Sequence, residues 1–134
     1  MPSRDRFVRP VTLVREFAIY LSSIGAGSFG STIYTWQLPA TPYVCRAVIP
    51  QGGPQPSVMD YHRLQVLCRD TNIQSVMAMA QVIYERIQQD RKPSMASHDA
   101  LCEPVHPPGP WYRDENGRFV ASLNFLLTCT VRVV

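Results

Sequence analysis

Lysine is almost missing from this chain: of its thirteen basic residues only Lys92 is a lysine, the others being arginines. Set against ten acidic residues they leave a net charge of +3, too mild to demand a nucleic acid as partner. Arginine suits bidentate contacts at protein interfaces. Charge is sparse altogether, 17% of residues against 46% hydrophobic, which excludes a disordered chain. No run reaches the roughly 18 apolar residues that would cross a bilayer, and the opening MPSRDRFVRP has no apolar stretch of the secretory kind. Cys45, Cys68, Cys102 and Cys129 lie far apart with no Cys-x-x-Cys, which excludes the usual zinc cluster and the redox motif. Three of them sit inside strand-like runs, as suits small buried apolar residues, and all are expected as free thiols of a protein made in a reducing cytoplasm. With 134 residues the chain is expected to form one domain, residues 10–134, with residues 1–9 as a mobile arm.

What is present in strength is alternation. From Phe119 through Ala121, Leu123, Phe125, Leu127, Cys129, Val131 and Val133 every second residue is apolar, and the residues between are mostly polar. That period predicts a strand with one buried face. Asn116-Gly117 precedes it and predicts a tight hairpin turn, with Arg118 facing Glu115 in a two-residue loop or Asp114 in a three-residue loop closed by Gly117. A straight strand from Arg118 to Val134 would be on the order of 55 Å long, in a domain about 35 Å across. The strand is therefore expected to bend, or to be core from Phe119 to Leu127 and a contact element from Thr128 to Val134.

The rest reads as follows. Pro10 opens a helix striped by Val14, Phe17, Leu21 and Ile24, and Gly25 ends it. Gly25-Ala26-Gly27-Ser28-Phe29-Gly30 spells G-x-G-x-x-G, but a helix precedes it and the strand-like Thr32–Trp36 follows, the reverse of a dinucleotide site; it is read as a turn. Strands are expected over Tyr43–Ile49 and Tyr61–Asp70, separated by a Pro/Gly-rich linker. Thr71 with Gln74 predicts a capping box for a second helix carrying Ile73, Val76, Met77, Ala80, Ile83, Tyr84 and Ile87 on one side. A short strand near Ala100–Glu103 precedes the proline-rich segment leading to Trp111. The order is α-β-β-β-α-β-β-β: an α+β fold, a mostly antiparallel sheet with two helices packed on one face. The other face would carry Arg118, Val120, Ser122, Asn124, Leu126, Thr128, Thr130 and Arg132.

Nothing in the sequence assembles a catalytic site. His62, His98 and His106 show no metal spacing; His62 falls on an apolar face, and His98 and His106 are expected in loops beside prolines. There is no Gly-x-Ser-x-Gly and no phosphate loop, so no catalytic residue, cofactor or metal is assigned.

The ordered set Val11–Ile24, Ile33–Pro39, Gly52-Gly53-Pro54, Tyr61-His62-Arg63-Leu64-Gln65-Val66-Leu67-Cys68-Arg69, Ala80–Ile87 and Arg113-Asp114-Glu115-Asn116-Gly117-Arg118 resembles the minor capsid, or tail terminator, proteins of long non-contractile-tailed bacteriophages. The likeness spans about residues 11–134; residues 93–110 depart from it, being longer and richer in proline. It implies a ring, typically a hexamer, at the head-proximal end of the tail tube. Such a ring would end tube polymerisation and offer a surface to the head, with the tube protein and a head-completion protein as partners, and no membrane or sequence-specific nucleic acid. The exposure pattern, not the family, nominates Arg118, Asn124, Leu126, Thr128 and Arg132 for subunit or tube contacts. It also nominates Gln51, Gly52, Gly53, Met59 and Tyr61 as a docking loop. Two alternatives stand beside this reading: a head-completion ring, and a small ligand-binding or enzymatic α+β domain with a pocket between sheet and helices.

Overall fold

The computed structural model describes residues 8–51, 60–109 and 111–132. Helix α1 covers Pro10–Ser23, β1 Ile33–Thr35, β2 Cys45–Gln51, β3 Asp60–Asp70, α2 Ile73–Gln89, β4 His98–Pro104, β5 Trp111–Arg113 and β6 Phe119–Val131. The six strands form one sheet in the order β1-β2-β3-β6-β4, with β5 also paired to β6. Every pairing is antiparallel except β1 with β2. The α+β order expected from the sequence is therefore the order found.

Local chemistry sets the element ends. Pro10 starts α1, where its absent N–H costs nothing. Gly25, at φ +83°, closes the helix in a Schellman motif: Gly25 N–H donates to Ser22 O at 3.2 Å and Ala26 N–H to Leu21 O at 3.0 Å. Helix α2 corrects the expected capping box. Asp70 Oδ1 accepts from both the backbone N–H and the hydroxyl of Thr71, so Thr71 is diverted, and Asn72 is the cap, accepting from Ser75 N–H at 2.8 Å.

The helices share one face of the sheet. Rows of side chains run across the strands beneath them, such as Val48–Val66–Leu123 and Leu64–Phe125, and meet Leu13, Phe17 and Leu21 of α1 and Val76, Ala80, Ile83 and Ile87 of α2. Phe17 and Phe125 are fully buried with ring centroids 5.9 Å apart; truncating either to Ala costs about 3–5 kcal/mol at such sites. All four cysteines are free and buried in this sheet. Burial pushes the Cys68 thiol up to about 12, so it stays protonated.

Three expectations about the strands change. First, β4 begins at His98, so His98 is no loop residue. It is 2% exposed and its Nδ1 lies 2.9 Å from Glu16 Oε1 of α1. Second, residues 98–109 and 111–113 run as one interrupted edge along β6: Val105 N–H reaches Asn124 O and Gly109 N–H reaches Ser122 O, between β4 and β5. Pro104 fits because its neighbour-but-one Cys102 sends its N–H away from β6, to Arg91 O at 2.7 Å, and Pro104 has no N–H to place there. Third, the end of β6 does not leave the fold. Cys129 is buried, Thr130 pairs with Asp99 and Val131 with His98, and Arg132 N–H donates to Ser97 O at 2.7 Å. The segment from Thr128 to Arg132 is thus part of the sheet ladder, whichever contacts its outer face makes; the rest lies outside the described residues.

A candidate assembly surface

The sheet face away from the helices divides into a covered end and an open end. Because β1 and β2 are parallel neighbours, residues 36–44 form a crossover between them. The helices fill the other face, and this segment lies over the polar one. Two arginines fix it. Arg69 of β3, 3% exposed, donates from Nε to Tyr43 O at 3.0 Å and from Nη2 to Pro39 O at 2.5 Å and Pro42 O at 2.8 Å. Arg118 donates from Nη1 to Ala40 O at 2.9 Å, from Nε to Asp114 Oδ2 at 2.9 Å, and lies over the Tyr43 ring. Beneath the segment Cys45 and Val120 are buried as well. At its start Trp36 takes a left-handed φ of 77° and stays nearly half exposed, with Tyr43 and Val44 also exposed. A non-glycine residue held there is strained and persists because its surroundings fix it.

The hairpin turn takes the three-residue form. Asp114 N–H donates to Arg118 O, Gly117 has φ +76°, and Asp114 Oδ1 accepts from the N–H groups of Asn116 and Arg118. These bonds outweigh the desolvation that opposes them and hold the Asp114 carboxyl below its ordinary value.

At the open end the nominated residues meet. Leu126 lies beside Arg63 of β3 and Glu103 of β4, and Arg63 pairs with Gln51. Thr128 lies between Tyr61 and Leu101, both exposed. Gln51 and Tyr61 of the expected docking loop thus share one patch with Leu126 and Thr128; Gly52, Gly53 and Met59 lie outside the described residues. Asn124 is next along β6, its amide nitrogen 2.8 Å from His106 Nε2. Arg118 and Arg132 are not in the patch. Arg118 is in the clamp at the covered end. Arg132 donates to the carbonyls of Met95, Ala96 and His98 and pairs with Asp99 Oδ1 at 3.1 Å.

The structure brings together a Ser-His-Glu cluster that the sequence did not suggest, because Glu16 and Ser97 are remote in the chain. Ser97 donates its N–H to Glu16 Oε1 at 3.0 Å and its hydroxyl to Glu16 Oε2, while His98 Nδ1 faces the same carboxylate. Serine and carboxylate both crowd Nδ1, at 3.4 and 2.9 Å. A nucleophile relay needs them on opposite ring nitrogens. The cluster ties α1 to the start of β4. Among the described residues, no three His, Cys, Asp or Glu side chains group to hold a metal ion, and no helix is long and apolar enough to cross a membrane.

A family model described as bacteriophage tail terminator protein matches residues 20–131. No curated protein matches the chain.

Proposed function

The chain belongs to the bacteriophage tail terminator family, and from that premise we propose that it forms a ring, a hexamer, that caps the head-proximal end of the tail tube, stops its polymerisation and offers the head its attachment surface. The family is one of structural tail proteins of the virion, and its role implies contact with tube and head components. The observation that supports a ring subunit here is the open end of the sheet. Tyr61, Thr128 and Leu101 form one row and Gln51, Arg63, Leu126 and Glu103 the next, across four paired strands, with Tyr61 and Leu101 exposed. Exposed apolar side chains grouped with charges suit a subunit or tube contact. The covered end, where the arginine clamps sit, is filled by the chain itself.

Tails assembled without this protein should be overlong under negative stain, and adding the wild-type chain should return their length to a fixed value. Leu126→Asp should fold normally and fail to cap. Tails of normal length that lack heads would move the protein to the head side of the joint instead. Capping by Leu126→Asp at wild-type levels would remove the open patch from the contact.

A further inference from the structure

Arg46 is a charge in a row of core positions. On β2 it lies between Ile33 of β1 and Cys68 of β3, both fully buried, on the sheet face that carries the helices. Above it is a cleft of about 420 Å³ between the C-terminal turn of α1 and the flank of α2, lined by Gly25, Ala26, Ser75, Met79 and Val82. Its Nε is buried and has no acceptor among the described residues. Within residues 8–51 the one acid is Glu16, already committed to Ser97 and His98. A buried donor left without an acceptor is destabilising, so this cleft gains from a carboxylate brought from outside.

The same chain carries a carboxylate shaped to enter a cleft. Glu115 is exposed at the apex of the β5–β6 hairpin and makes no ion pair among the described residues. Its turn is rigid, since Asp114 takes up the N–H groups of Asn116 and Arg118 and the Arg118 guanidinium. Trp111 and Tyr112 stand exposed on the hairpin below, and Val82 is exposed on the rim of the cleft. Other acids have partners of their own: Asp99 and Asp114 pair with Arg132 and Arg118, Asp70 accepts from Thr71, Glu85 from Gln81 and Asp90 from Lys92 N–H, while Glu103 sits within β4 beside Leu126. The hairpin sits on the β6 side of the sheet and Arg46 two strands away on β2.

We propose that the Glu115 hairpin of one copy inserts into the Arg46 cleft of the next, with carboxylate on guanidinium and Trp111 and Tyr112 against the apolar rim. Donor and acceptor are different surfaces, so the contact is head-to-tail and propagates until rotation closes it. The inference rests on the ring reading and names the partner surfaces within it.

The test uses the full chain across a concentration series by analytical ultracentrifugation and native mass spectrometry, with circular dichroism as the folding control. Glu115→Arg and Arg46→Glu should each raise the concentration for ring formation at least about tenfold, and the double swap should return it to within about threefold of wild type. Arg46→Gln, which keeps a polar side chain without the charge, stands in if Arg46→Glu disturbs folding and should weaken the ring likewise. Rings unaffected by the single changes, or weakened singles that the double swap fails to rescue, overturn this contact and leave the ring reading standing. A wild-type chain that stays monomeric at all concentrations overturns the ring reading and takes this contact with it.

Discussion

Replacing Arg69 by Met tests whether the covered end is held by one side chain. Arg69 makes no salt bridge among the described residues; its charge is met by the carbonyls of Pro39, Pro42 and Tyr43. Hydrogen bonds from a charged donor contribute about 1.5 kcal/mol each at the low end, so the three together are worth about 4–5 kcal/mol at that end of the range. Methionine keeps much of the volume and removes the need to desolvate a guanidinium, which returns part of that sum. The expected loss is about 2–4 kcal/mol, a large fraction of the stability of an ordinary domain. Urea unfolding followed by circular dichroism should show a lower midpoint with the slope unchanged. With Trp111 changed to Phe, Trp36 becomes the sole tryptophan, and its emission should shift as the crossover loosens before the global transition. Arg69→Lys keeps the charge but not the fork and should recover about half of the loss. A loss below about 1 kcal/mol for Arg69→Met, with Trp36 emission unchanged, would refute the clamp.

Two glycines of the same turn should respond differently to alanine. At Gly27, with φ +142°, a Cβ would lie 2.8 Å from Ile33 Cγ1, and the cost should be about 2–3 kcal/mol; at Gly25 the space is open and about 1 kcal/mol is expected, both read from urea midpoints. Asn72→Ala should cost about 1 kcal/mol in the same assay and Thr71→Ala less than about 0.5, reversing the order the capping-box pattern predicts. The Glu16 carboxyl is pushed up by burial, but bonds from Ser97 and His98 prevail and hold it below its ordinary 4.5. A carboxyl depressed by folding gives stability that is full above its unfolded pKa and lost as the pH falls through its folded one. Acid titration should therefore show a loss of wild-type stability below about pH 4.5 that Glu16→Gln lacks. Removing residues 130–134 should lower the melting temperature of the monomer, since Thr130, Val131 and Arg132 are tied to residues 95–99; an unchanged melt would show that this end adds nothing to the fold.

The elements that were legible in the sequence are those whose periodicity reports a buried face. The stripe Val14–Phe17–Leu21 and the alternation Phe119–Cys129 each specify which side chains go inward, and helices and long strands were found accordingly. Periodicity does not tell what covers the other side. Arg69 and Val120 occupy outward positions of their strands, yet both are buried because residues 36–44 cross above them. That segment has no period to read. His98 reads as a loop residue for a similar reason: its partner Glu16 comes from a helix far back in the chain, and nothing local marks the pair. The length of β6 is accommodated without its end leaving the sheet, because residues 95–99 run beside it as far as Arg132.

The arginine bias has a mechanical reading that separates the candidate contacts. Arg69, Arg118 and Arg132 each reach two or more backbone carbonyls or a carbonyl and a carboxylate at once. A planar fork spans such acceptors, while an ammonium group on a flexible stem meets them one at a time. These three are therefore occupied inside the subunit, and changing one would loosen a loop or a strand end before it touched a neighbour. Loss of ring formation on mutating Arg118 or Arg132 would thus carry little weight as evidence of a contact unless folding were shown intact. Arg46 differs, since its buried Nε has no acceptor among the described residues and its cleft is open. The guanidinium groups of Arg69, Arg118 and Arg132 are met within the subunit and the buried Nε of Arg46 is not, which places a demand for a carboxylate at the cleft between the helices.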